Sequence, residues 1–531
     1  MSLIRVYRPL LWLVILALPG LLLAACGGPE PIAVYVTPTL SPTDAPPAQV
    51  AEHVVLVHRP AGPALVPPAL EWLLQTPSPT PGSYGPIIQP GSVTAAPTQG
   101  APAAPLATNT PPPTLTPPPT ATPHAVTPTT TPTATPTGAA GTPTITFTPT
   151  LEGTPLPTLN ADLMGIQMHA DLSEQEFDLA LWYLKKTGVT WIKFQFAWEI
   201  VEPQQGVLSD VFYRYRLFIQ RAKQEGFNVL ISVAKAPDWA RSTVEEDGPA
   251  RDPQLLADFL SRMLGEIRAD LYGRSYVDAI EVWNEPNLRR EWNGGALTGT
   301  EYMRYFDAAY HAIRAAEGGP GIVIVTAGLA PTGISDNVVA TDDRLYLRQM
   351  YQAGLAGSGY QNVAIGVHPY GAWNPPDARW CGEETCSGRG WDVHPTFFFL
   401  DNIEDYRAIM EANGDGARQL WATEFGWPTY DGLIINEGTP APPPPGEDYF
   451  TFITAWDQGN YIMRAFEIAQ DLPYLGPMFL WNLNFASTQN VERQDPRAGY
   501  AILGNMADPR RPAFILLEHA PKTRAEDDAQ P

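Results

Sequence analysis

Ala279-Ile-Glu-Val-Trp-Asn-Glu-Pro-Asn287 opens as a short apolar run and closes on Asn-Glu-Pro. Its length and its Ile, Val and Trp content suit a strand buried on both faces, as in a parallel sheet. Three similar runs precede it, Gly165–His169, Trp191–Trp198 and Asn228–Pro237, and four follow, Ile322–Pro331, Asn362–Gly371, Gln419–Pro428 and Gly476–Phe485. Amphipathic stretches alternate with them. Glu174–Thr187 sets Phe177, Leu181 and Leu184 at helical spacing, and Gly188 is placed to stop the helix. Val211–Glu225, Pro253–Leu271, Thr300–Ala316, Leu345–Ala353, Leu400–Ala412 and Gln458–Gln470 read the same way, and Arg511–His519 follows the last strand. Eight strand-then-helix units predict an α/β fold, a (β/α)8 barrel over 161–521 with 522–531 as a disordered tail. A doubly wound sheet shares the local pattern, but no glycine-rich turn follows the first strand to cradle a dinucleotide.

The residues before 161 are of another kind. They hold 34 of the 58 prolines in the 531-residue chain, and few charges. Thr108–Thr137 is almost entirely Pro, Thr and Ala. Such sequence buries too little apolar surface to offset its ordering entropy and favours extended polyproline II, so 26–160 reads as a disordered linker or stalk. An apolar island, Val54–Leu74, has the makings of a short strand and helix, but its prolines argue against an independent domain. At the N-terminus, Arg5 and Arg8 precede the apolar run Leu10–Ala25, which is too short to span a bilayer and has the form of a secretory signal over 1–25. Its end, Leu23-Ala-Ala-Cys-Gly27, resembles the lipobox of bacterial lipoproteins. That resemblance implies cleavage before Cys26, lipidation of its thiol, and a product outside the cytoplasm, anchored to the membrane or cell surface. The formal net charge of −23 excludes a nucleic-acid partner and disfavours strongly anionic substrates. Only Cys381 and Cys386 remain for pairing, in a Gly-rich loop, and an oxidising compartment would join them in a small disulfide. No HExxH or Cys-rich pattern calls for a metal, and no cofactor is expected.

A second stretch, Leu420-Trp-Ala-Thr-Glu-Phe-Gly-Trp-Pro428, matches the first in placing a glutamate at the C-terminal end of a strand. Barrel enzymes build active sites at that end. Two carboxyl groups facing one pocket are what glycosidic cleavage requires: one gives a proton to the leaving oxygen, the other attacks or stabilises the oxocarbenium-like centre. On these residues, Asn284-Glu-Pro and Glu424-Phe-Gly, the sequence resembles the clan A glycoside hydrolases, families 5 and 39 above all, over roughly Asp162 to Pro521. The resemblance implies Glu285 as general acid/base, Asn284 as a partner of the sugar 2-hydroxyl, and Glu424 as the nucleophile of a retaining double displacement. It further implies that Tyr370, in His368-Pro-Tyr370, hydrogen-bonds the nucleophile. Trp481 would be the platform under the sugar. Lys193 departs from the arginine many relatives carry, which leaves its contact with Glu424 open.

His169, Trp198, Trp239 and Trp427 are further candidates for a cleft wall, and Asn482 for a sugar hydroxyl, because aromatic rings suit the apolar faces of pyranosides. The acid pair Asp342-Asp343 reads as solvated loop. The loops Gly371–Thr396 and Gly432–Thr451, the latter holding Pro442–Pro445, are placed to shape the subsites. The expected protein is a surface-tethered, monomeric retaining glycosidase acting on β-glycosidic bonds of a neutral poly- or oligosaccharide. The alternative is a non-catalytic carbohydrate-binding lipoprotein on a degenerate barrel, against which the paired glutamates argue.

Overall fold

The computed structural model describes residues 155–267, 274–357, 359–436 and 438–524, together with a two-residue antiparallel pairing of Ala33–Val34 with Val55–Leu56. The Leu10–Ala25 run, Cys26 and the Thr108–Thr137 tract lie outside the described residues, as does the Val54–Leu74 island apart from Val55–Leu56. Eight parallel strands close into a barrel in chain order: β1 Met164–Gln167, β2 Trp191–Ala197, β3 Asn228–Ala234, β4 Ala279–Val282, β5 Val323–Thr326, β6 Val363–Val367, β7 Leu420–Phe425 and β8 Leu475–Trp481. Each is followed by a longer helix: α1 Glu174–Thr187, α2 Asp210–Gln224, α3 Pro253–Glu266, α4 Gly299–Ala315, α5 Asp343–Gln352, α6 Phe399–Ala412, α7 Ala455–Gln470 and α8 Pro512–His519. This is the (β/α)8 barrel that the sequence predicts. Among the described residues, no helix is long and apolar enough to cross a membrane.

Local chemistry fixes the elements. Ser173 and Glu176 form a capping box that starts α1, and Gly188, at φ 74°, ends it in the left-handed conformation that glycine adopts without strain. Thr454 and Asp457 cap α7 in the same way. Between barrel and helices the packing is aromatic, with Phe177 stacked on Phe218 at 3.9 Å between ring centres.

Inside the barrel, side chains alternate with the pleat, so residues two apart share a face. One apolar layer gathers Leu230, Ala279, Val325, Ala364, Trp421 and Phe479, with Trp191 packed against it. Gly165 and Gly476 make room for these rings: a Cβ on either would sit 2.6 Å from Phe479 or 2.3 Å from Trp421. One pleat period further toward the C-terminal rim come Lys193, Glu281, Thr423 and Trp481. The barrel therefore has an aromatic floor and a polar layer above it, and the polar layer carries the site.

Three boundaries differ from the expectation. Lys522–Thr523 pairs in parallel with Leu159–Asn160, so the folded domain begins before 161 and the expected tail is ordered through that pairing. Asp342-Asp343 is not solvated loop. Asp342 caps α5 by accepting from the Leu345 N–H at 2.8 Å, and Asp343 is buried beside Arg344, with burial pushing its carboxyl up to about 6. The strands also stop earlier than the apolar runs suggest. At β4 the chain leaves the pleat because Trp283 and Glu285 adopt φ of 76° and 43°, and after β3 Lys235 does so at 61°.

Candidate active site

The two glutamates meet at the C-terminal rim. Glu285 lies three residues past β4, its N–H donating to the Gly328 carbonyl at 3.1 Å. Glu424 lies within β7, where the pairing with β8 slips between Ala422 and Phe425. Such an irregularity re-aims a side chain. It brings Glu424 to the same hollow as Thr423, which would otherwise point the opposite way. Oxygens of Glu285 and Glu424 and a ring nitrogen of His368 all lie within 4.8 Å of one another.

Each carboxyl is held by two groups. Lys193 Nζ lies 3.1 Å from Glu424 Oε1, and the Tyr370 hydroxyl donates to Glu424 Oε2 at 3.0 Å. Arg290 donates to Glu285 Oε2 at 3.0 Å, and His368 Nδ1 lies 3.1 Å from Glu285 Oε1. His368 Nδ1 is also 3.9 Å from Glu424 Oε2, so the imidazole stands between the pair. Beneath them Glu281, fully buried, lies 2.9 Å from Lys193 Nζ and accepts from the Gly328 N–H at 3.0 Å.

The electrostatics follow from this packing. Burial alone would lower His368, but the carboxylates of Glu424, Glu281 and Glu285 outweigh it and raise the imidazole to about 9. Burial likewise opposes ionisation of Glu281 and Glu285. Lys193 and His368 nonetheless hold Glu281 far below the usual carboxylate range, and His368 and Arg290 hold Glu285 below it. Lys193 is raised against its own burial by Glu281 and Glu424. Glu285, His368 and Glu424 are donor types that could ligate a metal, but Lys193 and Arg290 already set fixed positive charges against both carboxyls. The set fits protons better than a dication.

The structure brings together Glu285, Glu424, Lys193, His368 and Tyr370. Asn284 is buried beside them, and its Oδ1 has no hydrogen-bond partner among the described residues. Trp481 packs edge-on to Tyr500 at 5.0 Å and beside Phe485 at 5.9 Å; Phe485 in turn lies 5.2 Å from the half-buried His169. The Trp481–Asn482 peptide is cis. Trp239 is half-buried past β3, its Nε1 donating to the Glu202 carbonyl at 3.2 Å. Cys381 and Cys386 are bridged, with Cα atoms 5.7 Å apart.

Three candidates are elsewhere. Trp198 is buried in the core, stacked on Phe259 at 4.9 Å and bonded to Glu202. Trp427 is buried too, packed among Phe399, Phe425 and Tyr461 with its Nε1 on the Asn374 carbonyl. Both are core packing, not cleft wall. Asn482 is fully buried and turns its amide to the backbone, donating to the Arg497 carbonyl at 3.0 Å and accepting from the Phe485 N–H at 3.0 Å.

The sequence model of cellulase, glycosyl hydrolase family 5, matches residues 153–436. The chain belongs to glycosyl hydrolase family 5. Solved structures similar to this family 5 chain include a family 39 glycoside hydrolase from the gut symbiont Bacteroides cellulosilyticus WH2, 18% identical with a TM-score of 0.48, the match covering 68% of this chain and 64% of that one. A glucosidase from Croceicoccus marinus is 12% identical with a TM-score of 0.44, covering 69% and 68%. An endo-beta-1,4-glucanase from Xanthomonas axonopodis pv. citri is 12% identical with a TM-score of 0.40, covering 67% and 97%. The chain thus spans 64% of the length of the first of these. None of the curated proteins matches it.

Several residues of the family 5 site are missing from the sequence reading. Glu281 stands inside the quoted Ala279–Asn287 stretch, and an acid in the middle of a buried strand was the signal that could have found it. Arg290 follows Glu285 by five residues on a turn no periodicity describes. Gly328 is legible only in three dimensions: a Cβ there would lie 2.2 Å from the His368 ring and 2.5 Å from Thr423 Oγ1.

Proposed function

We propose that this family 5 chain is a retaining glycosidase acting on β-glycosidic bonds of a neutral oligo- or polysaccharide, with Glu424 as nucleophile and Glu285 as acid/base. The observation that carries it is the close approach of the two carboxyl groups, within 4.8 Å at their nearest. Retaining glycosidases hold theirs about 5–5.5 Å apart, whereas inverting ones leave roughly 6.5–9.5 Å for a water. Glu424, aimed by Lys193 and Tyr370, attacks the anomeric carbon while Glu285 protonates the leaving oxygen. Glu285, then a base, takes a proton from the water that releases the sugar.

In the ligand-free site the spare proton belongs to His368, because Arg290 and the imidazolium together keep Glu285 low. A sugar seated over the pair displaces the little solvent that still reaches Glu285, beside the already buried His368. Desolvation favours the neutral imidazole and neutral acid over the charged pair, so the proton passes from Nδ1 to Glu285 Oε1 as substrate arrives. Asn284 Oδ1 and the Trp481 ring then serve the sugar in the cleavage subsite. We extend the proposal to location: a signal over 1–25, a lipid at Cys26 and the Pro/Thr stalk would tether the barrel outside the cytoplasm.

A screen of neutral polysaccharides and aryl glycosides, followed by NMR of the first-formed anomer, tests this. The β-anomer is expected, and turnover should fall by orders of magnitude in Glu424→Ala and Glu285→Gln with the fold intact. An α-anomer as first product, or wild-type turnover in either variant, would refute it.

A further inference from the structure

The cation that holds Glu285 comes from the short turn that follows it, Arg289–Glu291. The Leu288 N–H donates to the Glu285 carbonyl at 3.0 Å, and the Trp292 N–H to the Arg289 carbonyl at 3.1 Å. Trp283 Nε1 donates to the Glu291 carbonyl at 3.0 Å, which ties the turn back to the end of β4. Arg290 therefore leaves a braced backbone and reaches Glu285 Oε2 at 3.0 Å, its side chain only 19% exposed. Three carboxyls face this guanidinium, and they are not alike. The buried Glu291 has Oε1 3.9 Å from Arg290 Nε, and Glu447 is within electrostatic reach. Burial pushes both of these up, Glu291 to about 8, whereas at Glu285 burial is outweighed by His368 and Arg290, and the carboxyl is held down. Glu291 also faces Lys235 and Asp247, whose charges oppose each other there.

A double displacement asks opposite things of Glu285 in its two halves. In the first, Glu424 bonds to the anomeric carbon, the bond to the leaving oxygen breaks, and that oxygen takes the proton from Glu285. One proton has then left the cluster and one carboxylate has become an ester, so the charge balance is kept. His368 has by then handed its proton on, and with Glu424 esterified the charge that most raised the imidazole is gone. A guanidinium does not give up its proton, so Arg290 is the cation that stays on Glu285. We propose that Arg290 is the positioning residue of the second half: it pins Glu285 Oε2 and keeps the carboxyl ionised in the glycosyl-enzyme, where Glu285 must act as a base. Oε1, which faces His368 Nδ1 at 3.1 Å, is left to take the proton of the attacking water. The water oxygen bonds to the anomeric carbon, the ester bond to Glu424 breaks, and the proton returns through Oε1 to Nδ1. Glu291, neutral below about pH 8, leaves the charge of Arg290 to Glu285. This role deepens the glycosidase reading and rests on it for the reaction.

Activated aryl glycosides separate the two halves, because a good phenolate leaves without a proton and kcat then reports hydrolysis of the glycosyl-enzyme. Full-length protein is assayed on one that the wild type hydrolyses. Arg290→Met should lower kcat at pH 5 by about 10-fold or more, since losing an adjacent opposite charge raises a carboxyl by about 1–3 pH units. Its kcat/KM should change by less than about 3-fold, and a burst of released phenol should appear as the intermediate accumulates. The acidic limb of kcat should move to higher pH, so that the deficit shrinks toward pH 8. Arg290→Lys keeps the charge and should stand at least about 3-fold above Arg290→Met in kcat. Arg290→Gln should behave as the methionine variant does, and stands in if that one does not fold. Equal losses in kcat and kcat/KM, an acidic limb that stays in place, or a lysine variant no better than the methionine one would overturn the role while leaving the glycosidase reading intact. A wild type that hydrolyses no glycoside, or releases the α-anomer first, would sink the glycosidase reading and the role of Arg290 with it.

Discussion

Replacing Lys193 by methionine would strand two buried acids. The ammonium lies 2.9 Å from Glu281, 3.1 Å from Glu424 and 3.0 Å from the Thr423 carbonyl, with no exposure to solvent. Methionine keeps most of the stem and its packing, so the loss is chiefly the charge. Removing one partner of a buried ion pair costs about 3–5 kcal/mol, because the other partner keeps its desolvation penalty unpaid. For a barrel of about 370 residues, unfolding entropy near 2.1 cal/mol/K per residue turns roughly 4 kcal/mol into a fall in Tm of about 5 °C. Thermal unfolding at pH 7 reads this directly. The deficit should shrink toward pH 4, since the stranded carboxyls can then be neutralised by protons. The double variant Lys193→Met/Glu281→Gln should recover at least about 1 kcal/mol over the single one, because the deeper stranded charge is gone. A single variant as stable as wild type at pH 7, with no recovery in the double, would show that no buried charge cluster organises this site.

Gly328→Ala should lower both stability, by about 1–3 kcal/mol, and turnover on any glycan hydrolysed, since its Cβ would displace the His368 ring and Thr423; unchanged kcat and Tm would contradict the packing. pH dependence follows from His368, raised from 6.5 to about 9 in the folded state. The folded protein binds the extra proton, so this contribution, roughly 3 kcal/mol, is complete below pH 6.5 and lost as pH rises through 9. Tm measured from pH 6 to 9.5 should fall, and His368→Asn should reduce the slope to the part Glu291 supplies; a slope unchanged in the variant argues against the assignment. Glu291, pushed up to about 8 by burial, titrates in the same window with the same sign. Glu291→Gln should therefore raise Tm at pH 9 and leave it little changed at pH 5, and equal effects at both values would show that the carboxyl is not buried as placed.

The barrel was legible because its signals are local. Short apolar runs bounded by turns, and helices with apolar spacing and caps, need no knowledge of distant residues, and α1 matches its expected bounds of Glu174 and Thr187. The two glutamates were legible for a related reason. In a closed parallel barrel the C-terminal ends of all strands converge, so residues 139 positions apart meet once both are placed at strand ends. Tryptophans were not so readable. Trp198 and Trp427 follow strands exactly as rim residues do, yet the turn after each aims the ring between barrel and helices, and a ring carries no mark in sequence of which side it will take.

The charges around the carboxyl pair were the least readable part, for a physical reason. A chain of net charge −23 suggests an acidic site, but two carboxyls this close in a buried hollow repel strongly unless cations stand beside them. The barrel supplies these from separate elements: Lys193 from β2, His368 after β6 and Arg290 from the turn after Glu285, with Glu281 from β4 anchoring Lys193 from below. Three acids and three basic groups therefore come from five places in the chain, and only Glu285 and Arg290 share one. Local near-neutrality is thus a product of closure rather than of any motif. It is also what the proposed chemistry needs, because only a balanced cluster lets one proton move between His368 and Glu285 without leaving a lone charge in a site that substrate has emptied of water.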